Sequence, residues 1–187
     1  SNIILLLYKD PRNHVRLVEK IEKEEDITDN IELEVAHYLT KVAEADLSAT
    51  ASRKIRSMLR VSNELERIGD IVYQMAKNAE RMRESKINLL EEVKKELEEL
   101  FDIVYDFLRF MNANFEKGKE ESIVKKVYNF ENKINRLRDK IQKKHFERLE
   151  QGKYTVQGGI IFLDYVNSAE KAGDHIVNIN EAMLGLK

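Results

Sequence analysis

Cysteine and tryptophan are missing from this 187-residue chain, and proline occurs once, at Pro11. Without cysteine there is no disulfide framework, no thiol nucleophile and no thiolate metal site. Long apolar runs are missing too: none approaches the roughly 18 residues of a membrane span. The opening Ser-Asn-Ile-Ile-Leu-Leu-Leu stretch is too short, and lacks the charged region that precedes the core of a signal peptide. Nor does charge of one sign dominate. The 32 Lys and Arg nearly balance the 34 Asp and Glu, for a net charge of -2, and the two signs are interleaved. That pattern carries no basic footprint for a nucleic-acid backbone. The expectation is a soluble chain on the cytoplasmic side that binds no nucleic acid.

Seven glycines and a single proline leave long stretches without a breaker, and Leu, Glu, Lys, Arg, Ala and Met dominate, so local propensity favours an all-α fold. The apolar positions recur with gaps of three and four, as helices require. A first helix starts at Asp10 and Pro11, an N-cap followed by a residue whose missing N–H was an orphan donor in any case. Its inward series is Leu17, Ile21, Glu24, Thr28, Ile31, Val35, Tyr38 and Val42. A second helix, from near Ser48, carries Ile55, Met58, Ser62, Leu65, Gly69, Val72, Ala76 and Ala79, with Ser85 as its end. The third has the seam Leu90, Val93, Leu97, Leu100, Val104, Phe107, Met111 and Phe115, and Gly118 ends it. The fourth shows Ile123, Val127, Phe130, Ile134, Leu137 and Ile141 before Gly152. The fifth runs from about Thr155 to Leu184, with Gly159, Phe162, Val166, Ala169, Gly173, Ile176 and Met183 on its stripe.

These helices repeat. A shift of 106 positions carries the first helix's series from Leu17 to Val35 onto the fourth's from Ile123 to Ile141, and a shift of 104 carries the second onto the fifth. Asn63-Glu64-Leu65-Glu66-Arg67-Ile68-Gly69-Asp70 then lies over Asn167-Ser168-Ala169-Glu170-Lys171-Ala172-Gly173-Asp174. The pattern predicts a duplicated unit of about 105 residues. With three helices per unit, residues 1–84 form a first copy lacking most of its leading helix and residues 85–187 a complete second copy. The expected architecture is two tandem three-helix bundles placed end to end. The opening Ser-Asn, in place of Met, is what an excised segment would show, with Ile3 to Leu7 as the last turns of the missing helix. The groove left by that helix invites a second copy, so a homodimer is expected.

Within each copy, carboxylates four apart share one face of a helix: Glu66 with Asp70, and Glu170 with Asp174. The partner helices offer Glu25 with Asp29, and Glu131 with Asn135, in matching register. Antiparallel neighbours would converge three or four carboxyl or carboxamide groups on one patch, the geometry by which helical bundles hold hard or borderline cations. With 34 acidic residues in the chain, about six such pairs arise by composition alone, so one pair means little. Recurrence at the same register, each time with glycine before the aspartate, means more. A mid-helix glycine costs about 1 kcal/mol relative to alanine, so Gly69 and Gly173 call for a close approach of a neighbouring helix. The competing reading of Glu66 and Glu170 is a salt bridge to Arg67, Arg60 or Lys171. His175 follows Asp174 and is the one nearby nitrogen ligand, whereas His14, His37 and His145 share no register with the pairs. No Ser-His-Asp arrangement, phosphate loop or His-x-x-x-His motif is present, which argues against an enzyme. A ferritin-like oxidase would need paired Glu-x-x-His motifs, which the chain lacks.

The motifs Glu66-Arg67-Ile68-Gly69-Asp70 and Glu170-Lys171-Ala172-Gly173-Asp174, each preceded by a Glu-x-x-x-Asp or Glu-x-x-x-Asn helix, resemble the PhoU family over about residues 12–186. The resemblance implies two three-helix bundles, carboxylate sites for iron or zinc, and a regulatory role in phosphate uptake. The stretch Glu25-x-x-x-Asp29-x-Ile31-x-x-Glu34-Val35-x-x-Tyr38-Leu39 looks like the PhoU-like cytoplasmic tail of sodium/phosphate cotransporters. The partner would then be the parent chain's membrane transporter domain, at the inner face of the membrane. A stand-alone PhoU-type regulator and a metal-free helical interaction module are the alternatives. The chain departs from the family at Asn135 and at Lys171-Ala172, and with one acid fewer the second site should hold a cation less well.

Overall fold

The structure is a computed structural model that describes residues 11–115 and 120–186. It consists of five helices and, among the described residues, no strand: α1 (Pro11–Ala43), α2 (Ala49–Glu84), α3 (Glu91–Ala113), α4 (Glu121–Glu150) and α5 (Val156–Leu184). The caps lie where hydroxyl residues predict them. The Ser48 hydroxyl accepts from the Ala51 N–H and the Thr155 hydroxyl from the Gly158 N–H, each satisfying an orphan donor of a first turn. Ser85 closes α2, and Gly185, with φ of 63°, closes α5 in the left-handed conformation that glycine adopts without penalty. Asp10, Ile3 to Leu7 and Gly118 lie outside the described residues. No helix of the described residues is long and apolar enough to cross a membrane.

Helices α3, α4 and α5 form the complete bundle. Its core holds the predicted seams almost intact: Val93, Leu97, Leu100, Val104, Phe107 and Met111 from α3, Ile123, Val127, Ile134, Leu137 and Ile141 from α4, and Phe162, Val166, Ala169 and Ile176 from α5. Phe107 stacks on Phe130 with ring centroids 4.9 Å apart. At the far end, the Arg148 guanidinium is buried and reaches both oxygens of Glu96 at 2.8 and 2.9 Å. Burial alone would raise the Glu96 carboxyl, but hydrogen bonds from Arg148 and Lys144 outweigh it and hold it below its ordinary value.

The two repeats do not lie end to end as expected. Helix α2 runs antiparallel alongside α5: the Ser57 hydroxyl donates to the Ala182 carbonyl at 2.6 Å, and the Tyr165 hydroxyl donates to the Met75 carbonyl at 3.1 Å. The cause is a second buried face on α2, Val61, Ile68, Met75 and Met82, which joins the core of the complete bundle. The predicted face, with Ala76 and Ala79, packs instead on Val18 and Ile21 of α1.

Five of the predicted inward residues of α1 and α2, Glu24 and Val72 among them, are exposed. Ile31 is 52 % exposed, Tyr38 67 % and Met58 46 %. The repeat explains the first two. Their counterparts on α4 are Leu137, in the shared core, and Lys144, whose ammonium contacts Glu96 of α3. No counterpart of α3 lies against α1 and α2 among the described residues.

Both mid-helix glycines mark close crossings, and at equivalent points. A Cβ on Gly69 would lie 3.3 Å from the Thr28 hydroxyl, and one on Gly173 would lie 2.8 Å from Ile134 Cδ1. Thr28 and Ile134 are themselves related by the repeat. The crossing predicts a sign change. Gly173→Ala costs stability in the native chain because Ile134 must shift, but in an Ile134→Val background, without that Cδ1, it stabilises by up to about 1 kcal/mol through helix propensity. Chemical denaturation of the two single variants and the double variant checks this; equal effects in both backgrounds would refute the contact.

Candidate metal centre

Because Gly69 lets α2 approach α1 at Thr28, the carboxylates on either side of the crossing are drawn together. Glu25 and Asp29 reach in from α1 and Asp70 from α2, and one ligand oxygen from each lies within 4.8 Å of the others. All three are partly buried. Among the described residues this is the one group of three acidic, histidine or cysteine side chains with that convergence. Asp29 Oδ1 is buried with no hydrogen-bond partner among the described residues. A buried carboxylate oxygen without a donor is costly, and a proton, a water or a cation would satisfy it.

Glu66 completes the patch electrostatically. Burial, then the charges of Asp70, Asp29 and Glu32, raise its carboxyl above the ordinary value, and Arg67 only partly offsets them. The Arg67 guanidinium donates instead to Asn63 at 3.1 Å. Glu25 is raised in the same way, by burial first and then by Asp29 and Asp70. Glu32 is an acidic member of this patch that the spacing argument overlooked. It lies one turn beyond Asp29, and scanning α1 for a third acid at i+3 would have found it.

The second repeat assembles differently. Glu131 and Asp174 line one surface recess with Tyr128, Asn178 and Glu181, which matches the pairing of Glu25 with Asp70. Glu170, however, is bound by the Arg138 guanidinium at 2.5 Å, an ion pair across helices and not to Arg60 or Lys171. Asn135 stands where Asp29 stands in the first repeat. His175 is engaged elsewhere: its Nδ1 lies 2.6 Å from Glu64 Oε2 on α2, and Asn178 donates to the same oxygen at 3.2 Å. His145 is buried against Tyr154, and His14 is buried at the start of α1.

The model of the PhoU domain matches residues 6–79 and 97–183, one match for each repeat. The chain belongs to the PhoU family. A curated relative, the phosphate-specific transport system accessory protein PhoU homolog 1 of Thermotoga maritima, is 25% identical over 172 residues, covering 90% of this chain and 72% of the relative. The crystal structure of PhoU from Pseudomonas aeruginosa superposes with a TM-score of 0.69 at 16% identity, covering 97% of this chain and 88% of that one, and so shares the fold.

Clustered carboxylates whose protonation is favoured by folding have a definite pH signature. A carboxyl raised in the folded state contributes stability that is present below its unfolded value of 4.5 and lost as pH rises through the folded value. In metal-free protein, Glu25→Gln and Glu66→Gln should therefore raise Tm at pH 7, with the gain disappearing near pH 4. Melting curves in chelator at the two pH values check this; a lowered Tm at pH 7 would contradict the repulsive cluster.

Proposed function

We propose that the chain is a PhoU-type regulator of phosphate transport whose first repeat binds a metal cation, and that it acts without catalysing a reaction. Membership of the family and the name of the Thermotoga relative, a phosphate-specific transport accessory protein, support the transport reading. The metal reading is supported above all by the buried, unpartnered Asp29 oxygen within the Glu25, Asp29 and Asp70 cluster. An all-oxygen donor set with shared negative charge suits a hard or borderline divalent ion. Iron or zinc is the family's expectation. Bound there, a cation would supply positive charge to the cluster and so link α1 to α2. Glu66 and Glu32 would add charge at its edge.

The finer reading is the cytoplasmic tail of a sodium/phosphate cotransporter, with the parent chain's membrane domain as partner. It is supported by the wording from Glu25 to Leu39. Membrane-spanning segments encoded upstream of Ser1 would support it, and a single further helix there would return the stand-alone regulator. A second copy of the chain is the proposed cover for Ile27, Ile31 and Tyr38, which lie exposed on α1. Sedimentation at rising concentration should show dimers, and a monomer throughout would remove that proposal.

Purified chain incubated with iron, zinc or manganese and then dialysed should retain metal by elemental analysis. Asp29→Asn combined with Asp70→Asn should retain none. At a hundredfold excess over Kd the metal should add about 2.7 kcal/mol of stability. Retention should fall as pH drops, because protons compete for Glu25 and Glu66. A chain that stays metal-free under all three ions would sink the site. If Glu66→Gln with Asp70→Asn abolished transporter binding with no metal dependence, the metal-free interaction module would replace it.

A further inference from the structure

We propose that Arg138 is a built-in counter-ion that takes the metal's place in the second repeat, so that the chain holds a cation at the Glu25, Asp29 and Asp70 cluster alone. The inference rests on the metal reading of the first repeat and limits it to one of two equivalent cradles. Under the repeat shifts, Glu25, Asp29 and Glu32 fall on Glu131, Asn135 and Arg138, while Glu66 and Asp70 fall on Glu170 and Asp174. The frames match, because Thr28 meets Gly69 as Ile134 meets Gly173. The contents do not. At these matched positions the first cradle has five carboxylates, and the second has three, a carboxamide and a guanidinium.

The guanidinium is in place. Arg138 Nη1 donates to Glu170 Oε1 at 2.5 Å, and Nε donates to Asp139 Oδ1 at 2.9 Å. Both Arg138 and Glu170 are about a quarter exposed or less, so water screens the pair only in part. An arginine stays charged at every accessible pH, and its planar donors match a carboxylate. A divalent ion held by the matched positions would meet a fixed positive charge that already satisfies Glu170, and a neutral Asn135 in place of the acid that is left unsatisfied in the first cradle. The second set therefore does not fit a cation. A side chain supplies the neutralisation that the first repeat draws from solution.

Two measurements separate this inference from the reading beneath it. In chelator, Arg138→Gln should lower Tm, and adding Glu170→Gln should recover most of the loss; strictly additive effects would overturn the counter-ion role whatever the metal content. In metal-loaded protein, Asp174→Asn should leave bound metal unchanged while Asp70→Asn removes it. Arg138→Glu combined with Asn135→Asp, which restores the first cradle's residues, should double the metal bound per chain. Half the metal lost in Asp174→Asn, or no gain in the restored variant while the native chain still binds, would overturn the inference. A native chain with no metal but with Arg138 and Glu170 still coupled would remove the metal reading and keep the counter-ion.

Discussion

The antiparallel packing of α2 on α5 is the constraint on which the rest of the molecule depends. Helix α5 is buried along much of its length, with Phe162, Tyr165, Val166, Ala169, Ile176 and Ile179 closed off from solvent, and it touches α2, α3 and α4. An α-helix with apolar residues on nearly every side can exist only in the middle of a structure. Helix α2 must therefore bury one stripe on α5 while offering another to α1. Polar groups fix the register of that packing: Ser57 to the Ala182 carbonyl, Glu64 to His175 and Asn178, and Tyr165 to the Met75 carbonyl. Partly and fully buried donors and acceptors that must find partners choose one alignment among the many that an apolar stripe would tolerate.

The glycine crossings transmit this alignment to the carboxylates. Gly69 and Gly173 forgo helix propensity so that α1 and α4 can approach at Thr28 and Ile134. The approach brings acids on facing helices together, and at Glu25 and Glu66 burial first, then the neighbouring carboxylates, raises the carboxyl above its ordinary value. Clustered carboxylates repel one another at neutral pH, and a cation is one group that would relieve them. The buried Arg148 and Glu96 pair at the other end of the bundle shows the opposite solution, in which opposite charges satisfy one another within the chain.

Much of this was legible in the sequence. Hydroxyl caps at Ser48 and Thr155, the seams of α3 to α5, and the duplication all rest on local chemistry or simple periodicity, and the structure has them. The side-by-side placement was not. The stripe Val61, Ile68, Met75 and Met82 recurs every seven residues beside the series that includes Gly69 and Ala76, and periodicity alone does not say that a helix has two partners. Ile31 and Tyr38 fit the helical period yet lie exposed, because a period identifies a face and not its cover. At the site, the convergence of Glu25, Asp29 and Asp70 followed from register. The Arg138 pairing was missed because repeats are most easily compared at identical positions, and a reversal of charge from Glu32 to Arg138 reads as mismatch when it is the informative difference.

The two repeats differ in core size as well as in charge. The second repeat packs three helices around a continuous core, whereas α1 is held to α2 by a small cluster of Val18, Ile21, Ala76 and Ala79, flanked by the Tyr73 and Glu22 hydrogen bond. Two alanines contribute little apolar area, so the apolar core between α1 and α2 is the smaller of the two. The carboxylate cluster of Glu25, Asp29 and Asp70 sits at that same junction. The equivalent cluster beside the large core is already neutralised in part by Arg138. An element responsive to a bound cation has to be one whose ordering is close to balance, because a ligand shifts an equilibrium only by its differential affinity for the two states. On the proposed metal reading, α1 is the element a cation would affect most directly, since it supplies two of the three converging carboxylates.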